Sequence, residues 1–288
     1  MTDWLNILIQ GALLGGLYAL FAVGLSLSFG IMRLVNIAHG DLIVLAAYVA
    51  LVVINATGLY SIATLLVVVP AMFALGYALQ RWLLNYTLSG GLLPPLLVSF
   101  GISVIIENLL LQIFGASTYR LQAGAIETQS FALGGIYIGA YPLLVFATAF
   151  AAIAALQVLF YRTGLGRAFR ATSDDADTAE LMGIDNRHLY AVAMAIAMIF
   201  TAVAGVLMAI RETFDPAAGP IRLIFAFEAV IIGGLGSLWG TLLGGMVLGV
   251  AQAVGGALSP TWEILAGHLA FLVVLLLRPS GLFPHTRD

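Results

Sequence analysis

For most of its length the chain carries apolar residues without the polar position every three or four residues that gives a soluble helix its wet face. The apolar runs approach the roughly 20 residues needed to cross a bilayer. They fall at Leu5–Phe29, Leu42–Ile54, Ile62–Leu79, Leu96–Phe114, Tyr141–Tyr161, Leu189–Ile210, Leu223–Leu258 and Ile264–Leu277. The second and last are short. The seventh is too long and too rich in glycine for one simple crossing, and predicts either a helix pair or a half-helix followed by a full one. The pattern predicts an all-α polytopic membrane protein with about eight transmembrane helices, eight to ten once broken or half helices are counted. It forms a single domain over residues 1–288 with no visible internal repeat. A secretory leader would start with a basic segment. Here the first basic residue is Arg33, and the opening run is long enough to be the first span.

The polar interruptions set the topology. The longest runs from Arg162 to His188 and interrupts a chain whose other connections are mostly apolar or short. Arginine in short loops marks the cytoplasmic side, so Arg162, Arg167, Arg170 and Arg187 place residues 162–188 in the cytoplasm. Arg33 and Arg81 fall on the same side, and 115–140 and 211–222 on the other. Eight crossings put both termini outside, which suits Arg278 and Arg287 poorly; dividing the seventh run brings the C-terminus in. Within the loop, Gly164 and Gly166 end the preceding helix, and Arg167 and Arg170 follow on a short interfacial helix. Ser173 or Asp174 caps a second helix, roughly Asp175 to Met182, that stops at Gly183. Its apolar side is Ala176, Ala179 and Leu181; its charged side is Asp177 and Glu180. Such a helix suits a partner's groove. The plainer alternative is a solvated acidic turn.

Composition confirms the bilayer and removes several functions. Hydrophobic residues make up 62% of the chain and charged residues 9%, with a mean hydropathy of +1.08, against about 25% charged in soluble domains. The net charge of −3 points to neither nucleic acid nor an acidic lipid surface. Without cysteine there is no disulfide, thiolate nucleophile or Cys metal site. Lysine is also missing, since all eleven basic residues are arginines. A P-loop needs its lysine on the terminal phosphates. This chain is therefore expected to bind no cofactor, and any ATP would be hydrolysed by a partner.

Four groups of residues carry candidate chemistry. Between Gly24 and Tyr48, Asn36, His39 and Asp41 interrupt two apolar stretches. His39-Gly40-Asp41 reads as a helix break and restart with Asp41 near a new N-terminus, where a carboxylate is favoured. It is either a gate or a capped interface turn, and is too little for a metal site. Glu107, Glu228 and Glu263 lie in apolar spans, where a carboxylate is costly and usually faces a cavity or a partner. Asn108 follows Glu107 and can share a hydrogen bond with it. Gly236, Gly240 and Gly244 recur every four residues, with Gly245 and Gly249 on an adjacent stripe, as helix-packing faces do. Ser237 and His268 are the pair an intramembrane hydrolase would need.

The segments GLYALFAVGLSLSFGIMRLVNIAHGDL, GLGRAFRATSDDADTAELMGI, GGLGSLWGTLLGG and LLRPSGLF, in this order, resemble the permeases of branched-chain amino acid ABC transporters, specifically the H-type subunit. The resemblance runs from about residue 8 to 284. It implies a second homologous permease subunit, two cytoplasmic ATPase subunits, an extracytoplasmic substrate-binding protein, and a bacterial or archaeal inner membrane whose lipid surrounds the assembly. Asp177, Ala179 and Gly183 occupy the places of Glu, the second Ala and Gly in the importer coupling pattern EAAxxxG; Asp177 and Thr178 depart from its Glu and Ala. The implied coupling residues are Gly166, Arg167, Arg170, Asp174, Asp177, Ala179, Leu181 and Gly183. The translocation path is expected at Asn36, His39, Asp41, Glu107, Asn108 and Glu228. Branched-chain amino acids are the family's substrates, with urea, amides and other amino acids among relatives. The competing reading is an ion-coupled secondary transporter of a small organic solute, which would share the broken helices and intramembrane carboxylates.

Overall fold

The computed structural model describes residues 2–88, 91 and 93–283. Among them, nine helical stretches are long and apolar enough to cross a membrane. In hydrocarbon every backbone group must be satisfied within its own segment, so apolar runs of this length become helices. The spans are built on α1 (Thr2–Met32), α2 (His39–Thr57), α3 (Leu65–Trp82), α4 (Leu93–Phe114), α5 (Ala140–Arg162), α8 (Asn186–Arg211), α9 (Gly219–Gly233), α10 (Leu238–Leu258) and α11 (Glu263–Leu277). Between α5 and α8 lie two short helices, α6 (Gly164–Asp174) and α7 (Ala176–Leu181).

The long seventh run is cut into a helix pair, one of the two outcomes its length and glycine content predict, and the nine stretches fall within the expected eight to ten. Gly234 and Gly236 adopt φ of +106° and +81°, which ends α9 and lets the chain turn into α10. Nine crossings would put the start of α1 and the end of α11 on opposite faces, which suits Arg278 better than eight. One face carries α6 and α7, with the Ser173 hydroxyl donating to Gly30 O near the end of α1. The opposite face carries a hairpin that the all-helical reading missed, β1 (Ser130–Leu133) paired antiparallel with β2 (Ile136–Gly139). Asn6 and Gln10, early in α1, donate to Gly135 O and Tyr137 O of this hairpin.

The buried centre is α1, packed by α5, α8, α9 and α10. Its seam with α10 is glycine on glycine: a Cβ at Gly245 would lie 2.5 Å from Gly15 O, and one at Gly249 2.3 Å from Gly11 O. Backbones in this contact are as close as helices get, which gains dispersion contacts where lipid supplies no hydrophobic drive. The glycine stripe thus packs internally. Gly240 and Gly244 face Gly233 and Ala229 of α9, whereas Gly236 lies in the turn before α10 and is not part of the helical stripe. At the far end of the sequence, Leu282 N–H and Phe283 N–H donate to Ile232 O and Gly233 O, strapping the segment after α11 onto the end of α9.

Candidate functional site

The interruption after α1 is longer than a turn. Residues 33–38 are non-helical and run back beside α1, so that α2 begins deep in the bundle. The His39 ring donates from Nε2 to Phe21 O at 2.7 Å, about three turns before α1 ends. Asn36 Oδ1 accepts from Ala38 N–H, and Ile37 N–H donates to Ser99 Oγ of α4. His39 and Asp41 are each 2% exposed. Asn36 thus satisfies a backbone N–H that the break frees, and the His39 ring is spent on a carbonyl inside α1.

Asp41 sits in the first turn of α2, as expected. Ser103 Oγ of α4 donates to its Oδ2 at 2.5 Å, while Oδ1 has no partner among the described residues. Beside it α9 begins: a Cβ added to Gly219 would fall 1.9 Å from Asp41 Oδ1, and one added to Gly40 would fall 2.0 Å from Gly219 O. The N-termini of two short spans, α2 and α9, thus meet inside the protein around one carboxylate. Half-helix ends of this kind occur at the binding sites of transporters generally, and their partial positive charge favours an anion.

The other expected path residues lie elsewhere. Glu107 is half-buried one turn beyond Ser103 on α4. Asn108 is exposed and donates to Val104 O of its own helix, so the expected bond between the two is not formed. Glu228 of α9 is buried and pairs with His268 Nδ1 of α11 at 2.5 Å. Next to this pair, the Tyr18 hydroxyl is hydrogen-bonded to Gln252, and Phe225 lies between Tyr18, to which it is tilted, and His268, on which it stacks. The imagined Ser237–His268 pair does not exist: Ser237 Oγ caps α10 by accepting from Gly240 N–H, and His268 belongs to Glu228. Partners such as His268 and Ser103 carry no sequence signal of their own, because one histidine or serine in an apolar helix matches many roles.

The α6–α7 segment is built on caps. Thr163, not a glycine, separates α5 from α6, and its Oγ1 accepts from Gly166 N–H. Gly166 lies inside α6, where a Cβ would clash with Leu159 O at 2.2 Å. The cap of α7 is Asp175 rather than Ser173 or Asp174: its carboxylate accepts from the Thr178 hydroxyl and from the backbone N–H groups of Asp177 and Thr178. These bonds, led by those from Thr178, hold the Asp175 carboxyl below the usual carboxylate range. Gly183, at φ +88°, closes the segment. Ala179 is buried, and Arg167 and Asp177 point to solvent. Leu181 and Met182 stand 87% and 80% exposed at the tip. The half-buried Arg170 and the exposed Asp174 line a cavity against the ends of α1 and α5.

Comparison with known proteins agrees with this architecture. The family described as "Branched-chain amino acid transport system / permease component" matches residues 7–277. The high-affinity branched-chain amino acid transport system permease protein BraD of Pseudomonas aeruginosa is 28% identical over 292 residues, covering 97% of this chain and 95% of that protein. The permease protein LivH of Escherichia coli is 28% identical over 295 residues, again covering 97% and 95%. The permease protein LivM of the same organism matches at 30% over 131 residues, 44% of this chain and 30% of that protein. No solved structure matches significantly. The chain, a multi-pass membrane protein, belongs to the branched-chain amino acid transport system permease family.

Proposed function

We propose that this chain is the membrane-spanning half of an ATP-driven importer for branched-chain amino acids, paired with a second permease of the same family. Two cytoplasmic ATPases drive it, and an extracytoplasmic binding protein delivers the substrate. The observation that carries the reading is the tip of α7. Two large apolar side chains, Leu181 and Met182, are held out to solvent on a capped, glycine-terminated helix, beside the acidic Asp177 and Glu180. An isolated apolar knob on a rigid support is the form in which a short helix fills a partner's groove, and a chain without lysine has no P-loop of its own. Substrate would cross near the meeting point of α2 and α9, where Asn36, His39 and Asp41 gather, with Glu228 and His268 as a second polar station. Glu107 and Asn108 are at the margin of that path.

Affinity purification of the chain from its native membrane tests the reading. A P-loop ATPase and a second permease should co-purify, and Leu181→Asp should strip the ATPase and lower leucine uptake at least tenfold while leaving the chain's thermal stability in detergent unchanged. A chain that purifies alone yet still transports would overturn it in favour of ion coupling.

A further inference from the structure

A cavity of about 860 Å³ opens on the α6–α7 face, between the ends of α1 and α5, α6 and the α9–α10 turn. Ligand sites commonly measure about 300–1,000 Å³ and combine an apolar wall with a few placed polar groups. Three features mark this one as a site. The Ser26 hydroxyl at its lining is buried (1% exposed) and has no hydrogen-bond partner. Arg33, also at the wall, is the one non-glycine residue among those described with positive φ, at +51°, and it forms no ion pair among the described residues. Backbone strain of this kind persists where the surroundings impose it, and it gathers at functional sites. Arg170, half-buried, lies over the Tyr161 ring at 5.2 Å, donates one Nη1–H to Phe160 O and keeps its remaining N–H groups at the cavity, while the exposed Asp174 at the cavity's rim likewise forms no ion pair among the described residues. The remaining wall includes Leu27, Phe160, Leu238 and Trp239.

Two guanidinium groups, one carboxylate and an apolar wall match neither a simple anion nor a hydrocarbon tail. We propose that this cavity binds a small zwitterion with an apolar side chain, an amino acid, its carboxylate facing Arg33 and Arg170 and its ammonium facing Asp174. The choice of an apolar amino acid rests on the importer reading above; the paired charges stand without it. Arginine is suited to carboxylate because its fork makes two parallel hydrogen bonds. The Ser26 hydroxyl gains the partner it lacks. Because α6 supplies Arg170 and Asp174 and passes directly into α7, a bound amino acid touches the element that carries the exposed Leu181 knob.

Saturable binding of tritiated leucine to the purified full chain in phosphatidylcholine nanodiscs tests the site. Leucine should bind, leucinamide and 4-methylpentanoate, each lacking one charge, should compete at least tenfold more weakly, and Asp174→Asn should weaken binding at least tenfold. Arg33→Gly is the sharper variant: it removes the guanidinium while giving the left-handed position the residue that suits it. It should weaken binding at least tenfold with no loss of thermal stability. Unchanged binding in Arg33→Gly and Asp174→Asn, or no saturable binding at all, overturns the proposal. So does a leucine-independent change in Trp239 fluorescence that follows phosphatidylglycerol content, which would make the cavity a lipid headgroup site. Leucine uptake by cells expressing the whole system reads the importer function separately. Normal uptake without binding to the purified chain removes this site and leaves the importer.

Discussion

The junction of α2 with α9 and the α6–α7 segment invert each other. At the junction, polar side chains sit inside and are mostly spent on the protein's own backbone: His39 on Phe21 O, Asn36 on Ala38 N–H. At the tip of α7, the apolar Leu181 and Met182 stand mostly in solvent, while the polar Asp175 and Thr178 build the cap that holds them there. Both arrangements are costly in isolation: buried polar groups must find partners, and exposed leucines gain nothing from water. The contrast separates a place that must keep its shape from a place that waits for another molecule.

The contrast breaks most visibly at Gly40. A valine there would drive its Cβ into Gly219 O, a backbone atom that cannot step aside. Overpacking ordinarily costs roughly 1–3 kcal/mol; here two helix ends must part, and we expect little folded protein to survive size-exclusion chromatography after mild heating. A normal elution profile would show that the junction is soft. Glu228→Gln comes next. The amide keeps the shape and one bond to His268, so the fold and the co-purifying ATPase should persist while leucine uptake falls at least tenfold; unchanged uptake would make the Glu228–His268 pair purely structural. The smallest effect belongs to Asp175. Its carboxyl is held below its ordinary value in the folded chain. The stability it lends α7 is therefore fully present above the unfolded value near 3.9 and disappears as pH falls through the lower folded value. Hydrogen exchange at residues 177–179 should be insensitive to protonation of Asp175 between pH 5 and 8, and faster in Asp175→Ala. Equal protection in that variant would mean that packing of Ala179, not the cap, holds the helix.

What the sequence made legible follows the same division. The spans could be read because a bilayer demands long apolar runs, and residues 162–188 because their charge is out of place among them. That the seventh run must divide was legible from its length and glycine content; where it divides was not, because the positive-φ glycines Gly234 and Gly236 look like any other packing residue within a glycine-rich run, and Gly236 therefore reads as part of a helix stripe it does not join. Asp175 lost to Ser173 and Asp174 in sequence because three adjacent residues can all cap, and only the backbone decides which one has the extended conformation. The hairpin of β1 and β2 is too short for period-two alternation to stand out. Arg170 and Asp174 lie in the polar segment that the sequence marks out, and they also line a cavity that no spacing announces.

The two-residue strap after α11 has a mechanical meaning. By donating to Ile232 O and Gly233 O, it ties the last span to the end of α9, where the α9–α10 turn begins. That turn supplies Leu235, Gly236 and Ser237 to one wall of the cavity beside α6. The cavity wall is thus joined through backbone hydrogen bonds to α11, the least buried span, which carries the His268 that pairs with Glu228.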